Sequence, residues 1–185
     1  MYTDSDVSRI LETIHSVSPR VGTTRLITID GPAGSGKTTL AADLSKLLND
    51  APIVHLDDLY EGWYQDLHSD LAVRIEDQIL SPIRAGFPAR YQRFDWVANR
   101  FVEWLDVPAH NFLILEGVGS GHALIRSASS VVVWIESDSV VGRQRVISRD
   151  GDSVAAHIVG WQERERVFFD AYGVKESADF RLVSD

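Results

Sequence analysis

Eight consecutive residues, Gly31-Pro32-Ala33-Gly34-Ser35-Gly36-Lys37-Thr38, limit what this chain can fold into more than any other stretch. They follow Arg25-Leu26-Ile27-Thr28-Ile29-Asp30, a short apolar run that reads as a buried strand. They precede a segment over about 37–48 made of good helix formers, with Leu40, Ala41, Leu44, Leu47 and Leu48 on one face. The pattern G-x-x-x-x-G-K-[ST] between a strand and a helix predicts a loop that cradles phosphate groups. Its glycines permit backbone angles closed to other residues and let amides approach an anion. The helix that follows offers a partial positive charge at its N-terminus. Lys37 can reach the β- and γ-phosphates, Thr38 can offer its hydroxyl to Mg2+, and Thr39 is expected to join residues 31–38 in binding the nucleotide.

The rest of the chain repeats the strand-then-helix rhythm. A first helix, capped by Asp4 or Ser5, places Val7, Ile10, Leu11, Ile14 and Val17 on one face. Strands are expected at about 52–56, 112–116, 131–136 and 180–183, and helices at about 70–84, 139–149 and 153–172. Pro82 should end or kink its helix. Continuous apolar runs such as Val131-Val132-Val133-Trp134-Ile135 suit parallel strands covered on both faces. The stretch 85–109 is aromatic-rich and receives no assignment. This alternation predicts a doubly wound α/β sheet in one domain over residues 1–185.

Composition narrows the partners. A net charge of −9 disfavours nucleic-acid and membrane-surface binding, since phosphate backbones and anionic lipids repel such a chain. There are no cysteines, so disulfides and thiolate metal sites are excluded. The N-terminal residues are acidic, without the apolar run of a signal peptide, and no stretch reaches the roughly 18 apolar residues of a membrane span. A cytoplasmic location is the resulting expectation, and a homodimer is compatible with it. The six histidines show no metal-ligand spacing; His55, beside two aspartates, is the one to watch.

In open α/β sheets ligands gather at the carboxyl ends of the strands. After the second strand comes His55-Leu56-Asp57-Asp58-Leu59-Tyr60, where a carboxylate would face the terminal phosphate and could take the proton of an incoming hydroxyl. Paired aspartates in a solvated loop or helix cap give the same pattern.

With these residues in view, the chain resembles the uridine kinase group of P-loop kinases, whose relatives act on pantothenate, ribulose phosphate, nicotinamide riboside and glycerate. The resemblance rests on Asp30 to Thr38, on His55 to Tyr60, and on Leu113-Ile114-Leu115-Glu116-Gly117, in matching order and spacing. It implies a P-loop NTPase fold, with a five-stranded parallel sheet in the order 2-3-1-4-5 and helices on both faces. It also implies ATP and Mg2+ as cofactors and a small-molecule acceptor, phosphorylated on a hydroxyl. By resemblance, Asp57 activates that hydroxyl and Glu116 lies near Mg2+ and the acceptor, with Thr38 as the other metal ligand. An acceptor-binding segment is expected over about 57–100, with Asp57, Asp58, Tyr60, Arg93, Asp95 and Glu116 as contacts. Trp63 and Tyr64 could wall the same pocket. Glu61 follows Tyr60 where many relatives carry a basic residue, so the acceptor contacts can differ.

Arg143, Arg145 and Arg149 cluster before the turn Asp150-Gly151-Asp152. Related kinases carry such arginines in a mobile lid, here about 143–153, where guanidinium groups steady the phosphoryl oxygens. Arg145 and Arg149 are therefore expected to join Lys37 and Asp57 in catalysis. In the last helix Glu165 interrupts the stripe Val154, Ile158, Trp161, Phe168 and Tyr172; it either orients a lid arginine or the neighbourhood of Arg166, or is a plain surface glutamate at the edge of the stripe. Two rival readings remain open. Arg84, Arg90 and Arg93 would suit an anionic acceptor, as in a nucleoside monophosphate kinase. A non-catalytic nucleotide sensor or weak NTPase would use the loop alone.

Overall fold

A computed structural model describes residues 2–184. Helix α1 spans Asp4–Ser16, strand β1 Arg25–Asp30, α2 Lys37–Leu47 and β2 Ile53–His55. A tight 3-10 turn, Leu56–Asp58, leads toward α3, Asp70–Ile75. A π-helical turn, Glu76–Leu80, joins α3 to the short α4, Ser81–Arg84. Strands β3, Ala89–Asp95, and β4, Arg100–Val107, precede β5, Phe112–Glu116. The chain closes with α5 Ala123–Ala128, β6 Val131–Glu136, α6 Ser139–Asp150, α7 Ala155–Tyr172 and β7 Phe180–Val183.

Five strands form a parallel sheet in the order β2-β5-β1-β6-β7. The expected order 2-3-1-4-5 counted five strands in the chain. The described residues form seven, because the unassigned stretch 85–109 folds into the antiparallel hairpin β3–β4, outside the main sheet. The first helix is capped by Thr3, whose hydroxyl accepts the Asp6 amide, and not by Asp4 or Ser5. Helical geometry runs through Pro82 because the π turn before it widens the helix where proline offers no amide.

Alternating side chains of the sheet feed two cores. Ile27 and Ile29 pack with Ile10 and Ile14 of α1 and Leu40, Ala41 and Leu44 of α2 on one face. Leu26, Leu113 and Leu115 meet Leu71, Ile125, Val146, Ile158 and Phe168 on the other. Helices thus cover both faces, as all-parallel sheets require. Among the described residues no helix is long and apolar enough to cross a membrane. What this arrangement delivers is a shared edge: the carboxyl ends of β1, β2 and β5 open side by side onto the N-terminus of α2.

Candidate active site

The phosphate loop leaves β1 at Asp30, a buried carboxylate that accepts the amides of Gly31 (2.7 Å), Gly119 (3.1 Å) and Gly121 (2.7 Å). Burial lifts its pKa to about 6, against those amides and the Lys37 charge. Asp30 thereby ties the loop to the turn after β5. Gly34 and Gly36 adopt φ of 79° and 90°, and Gly36 begins α2 in the left-handed region that disfavours side chains. The Lys37 ammonium folds over the loop, donating to the carbonyls of Gly31 (2.7 Å) and Pro32 (2.9 Å).

Loop and α6 meet backbone to backbone. A methyl group on Gly34 would collide with the Gly142 carbonyl, and one on Gly142 would lie 2.5 Å from the Ala33 carbonyl oxygen. The sequence reading passed over Gly142. Because the obstacle is main chain, Gly142→Ala is expected to displace the loop and cost about 1–3 kcal/mol of stability. Chemical denaturation measures it; an unchanged midpoint would show that the contact relaxes freely.

Glu116 ends β5 in register with Ile29 of β1 and His55 of β2. That register brings its Oε1 to 2.6 Å from His55 Nδ1 and within 3.0 Å of the Thr38 hydroxyl, which donates to it. Burial pulls the Glu116 pKa up, but the His55 hydrogen bond, Lys37 and Thr38 outweigh it and hold the group below its ordinary range. His55 is raised in turn, first by that hydrogen bond, against its own desolvation. The histidine kept under watch is thus a direct partner of the expected metal ligand. Thr38 and Glu116 together present hard oxygen donors, which fit Mg2+, an ion that takes one or two protein ligands and completes its shell from phosphates and water. No cluster of three or more acidic, histidine or cysteine side chains exists among the described residues to serve a different kind of metal site.

Asp57 lies in the 3-10 turn after β2. Solvent reaches its side chain, yet protein atoms crowd it, and this desolvation raises its pKa. The Glu116 charge raises it further, while Lys37, Arg149 and His55 oppose. The Asp57 carbonyl accepts the Trp96 indole at 3.0 Å, which pins the turn to the hairpin. Asp58 accepts the Tyr91 hydroxyl at 3.0 Å. Trp63 stacks on His157 at 5.2 Å between centroids and meets Trp96 edge-on at 5.1 Å, forming an aromatic wall beside the aspartates.

Other expected contacts are placed differently. Tyr60 is 2% exposed, and its hydroxyl donates to the Val118 carbonyl at 2.7 Å, so it supports the wall from within the core. Arg93 is held by Glu103 on the facing strand (2.9 Å). Asp95 accepts the amides of Val97 and Ala98 and shapes the hairpin turn, which lowers its pKa. Both thus have local structural employment. Arg145 donates to the Gly34 carbonyl (3.3 Å) and the Ser184 hydroxyl (2.8 Å), against the loop. Arg149 chelates the neighbouring Asp150 at 2.7 Å, and its charge is felt by Asp57 and Glu116. Among the described residues no arginine bonds to Glu165. Its carboxylate accepts the Ala33 amide at 3.1 Å, while Arg166 pairs on the surface with Glu163 and Asp170.

The chain matches no protein-family model and no curated protein. Solved structures do resemble it. A possible uridine kinase from Bacillus stearothermophilus aligns over 96% of this chain and 97% of its own, with TM-score 0.69 and 19% identity. A provisionally assigned fructose transport system kinase from Silicibacter sp. TM1040 aligns over 98% of both chains, with TM-score 0.61 and 20% identity. An uncharacterized protein from Eubacterium ventriosum covers 86% of this chain and 88% of its own, at 0.50 and 16%. What they share with this chain is the fold.

Proposed function

We propose that this protein transfers the γ-phosphoryl group of ATP to a hydroxyl of a small polar metabolite. The observation that carries the reading is the convergence of Lys37, Thr38, Glu116 and Asp57 at one edge of the sheet. The loop amides and Lys37 hold the phosphates; Thr38 and Glu116 would hold Mg2+, which supplies charge neutralisation on the phosphate oxygens. Asp57 accepts the proton of the acceptor hydroxyl as its oxygen bonds to the γ-phosphorus and the bond to the β-phosphate oxygen breaks, releasing ADP. Arg149, whose charge reaches Asp57 and Glu116, counters charge on the transferring group. Two of the fold neighbours carry kinase designations, which agrees with this chemistry.

A hydroxyl acceptor is favoured over a phosphate acceptor by the placement and pairing of the candidate arginines: Arg84 lies against Gly22, ahead of β1 and away from the carboxyl edge of the sheet. Arg84 is bound to Glu76, Arg90 faces Asp106 at 3.7 Å and Arg93 is bound to Glu103. Beside the aromatic wall the chain instead presents Asp57, which accepts hydroxyl hydrogen bonds and repels anions, with Asp58 behind it bound to the Tyr91 hydroxyl. In a coupled ADP-release assay, neutral hydroxyl compounds such as nucleosides, sugars and vitamins are expected to stimulate turnover. Stimulation confined to nucleoside monophosphates, or slow hydrolysis indifferent to any acceptor, would refute the assignment.

A further inference from the structure

Glu165 sits where a carboxylate is costly. It is 3% exposed, on the α7 face that also buries Ile158, Trp161 and Phe168. Its two oxygens lie 3.1 and 3.3 Å from the Ala33 amide, inside the phosphate loop itself. The groups facing it come from several elements. Lys37 of α2 attracts it, Asp30 of β1 repels it, the Trp161 indole of its own helix favours its charged form, and the buried Tyr60 hydroxyl beyond β2 feels its charge. Where α6 reaches the loop it brings the Gly142 main chain against Ala33 and the Arg145 guanidinium against the Gly34 carbonyl. This carboxyl group, with Lys37 as its leading attractive charge, stands at the edge of the place where, on the reading above, a triphosphate binds.

We propose that Glu165 is a positioning residue for the phosphate loop that takes up one proton from solvent when a nucleoside triphosphate enters. This rests on the proposed nucleotide site. Without nucleotide, the carboxylate accepts the Ala33 amide and shares the charge of Lys37. An incoming triphosphate claims that ammonium and adds negative charge a few residues away, so the carboxylate loses its cation and gains a repulsive neighbour. Both changes favour the neutral acid. Once protonated, the group still accepts the Ala33 amide through its carbonyl oxygen, so the loop keeps its shape while the like-charge repulsion disappears. No other bond changes. Burial already pushes the Glu165 pKa up to about 7, ahead of every other cause, which brings the proton within reach of neutral buffers.

The test is titration calorimetry with the Mg2+ complex of a non-hydrolysable ATP analogue at pH 7.5, repeated in buffers of low and high ionisation enthalpy. Wild-type protein is expected to take up roughly 0.5–0.75 proton per nucleotide, and its affinity to weaken as pH rises from 7 to 8.5. Glu165→Gln is expected to bind with little uptake and a flat pH dependence. A merely structural glutamate would not alter the proton count. Binding without uptake in the wild type overturns this inference and leaves the kinase reading intact; no binding at all removes both. Wild-type uptake retained in Glu165→Gln would assign the proton elsewhere, for instance to Asp30. Should that variant fail to fold, difference infrared spectra of wild-type protein with and without 13C-labelled glutamate decide the matter. A protonated-carboxyl band that appears with nucleotide and shifts with the label supports Glu165; a band that ignores the label, or no band, refutes it.

Discussion

Asp57→Asn is expected to reduce kcat by roughly 10²–10⁴-fold, the range general-base catalysis supplies, while nucleotide affinity is unchanged. The substitution keeps the shape of the side chain and leaves the backbone carbonyl that receives the Trp96 indole. It removes the negative charge and with it the ability to take a proton, a change that should not weaken nucleotide binding. Glu116 is a poor substitute, since its carboxylate is already engaged by His55 and Thr38 and is held below its ordinary pKa. Asp57 is shifted the other way, first by desolvation and then by Glu116. A base works in its deprotonated form, so wild-type turnover should rise with pH through a limb lying above the usual aspartate range. That limb should vanish in the variant. Steady-state assays across pH, paired with calorimetry for nucleotide affinity, measure both; full turnover in Asp57→Asn would remove it from this role.

The loop was legible in the sequence because every part of its signal is local: glycines, lysine and threonine at fixed spacing, flanked by a strand and a helix. Glu116 and Asp57 were also reachable, since each ends a recognisable apolar run. The bond between His55 and Glu116 was not, because it depends on the register of two strands 61 residues apart. The hairpin escaped for a different reason. Burial along β3 falls on Ala89, Tyr91 and Phe94, and the irregularity between Gln92 and Phe94 breaks the period of two that marks a strand. Helix α5 is too short to show a helical period.

Charged residues were the hardest to place, because their partners decide what they do. Arg93 and Asp95 read as acceptor contacts by the family resemblance, yet Glu103 and the turn amides claim them. Glu165 was visibly out of place in an apolar stripe, but the sequence pointed to an arginine as its partner. The actual partner is a backbone amide 132 residues away, a group that leaves no mark in a residue pattern. Gly142 was silent for the same reason: its importance is the absence of a side chain against the Ala33 carbonyl.

Lys37→Met should have a still broader effect, because the Lys37 charge acts on Asp30, Asp57, Glu116 and Glu165 together. Turnover is expected to fall by roughly 10²–10³-fold through loss of a donor aimed at the transferring phosphoryl group. Stability should change with a definite sign. In the wild type the folded-state pKa of Asp30 is about 6 and that of Glu165 about 7, against ordinary values of 3.8 and 4.5. Between those limits the folded chain holds protons that the unfolded chain has released, so stability declines as pH rises through the window and levels off above it. Removing the ammonium lifts these folded-state pKa values further, which steepens the decline and carries it to higher pH. At pH 8 the buried carboxylates have lost their cation, a change that costs about 3–5 kcal/mol when a buried charge is left unpaired. At pH 5 Asp30 and Glu165 are largely protonated in the folded state and the cost should shrink. Thermal denaturation of both proteins from pH 5 to 8 makes the comparison, and parallel curves would mean that Lys37 does not hold these acids in place.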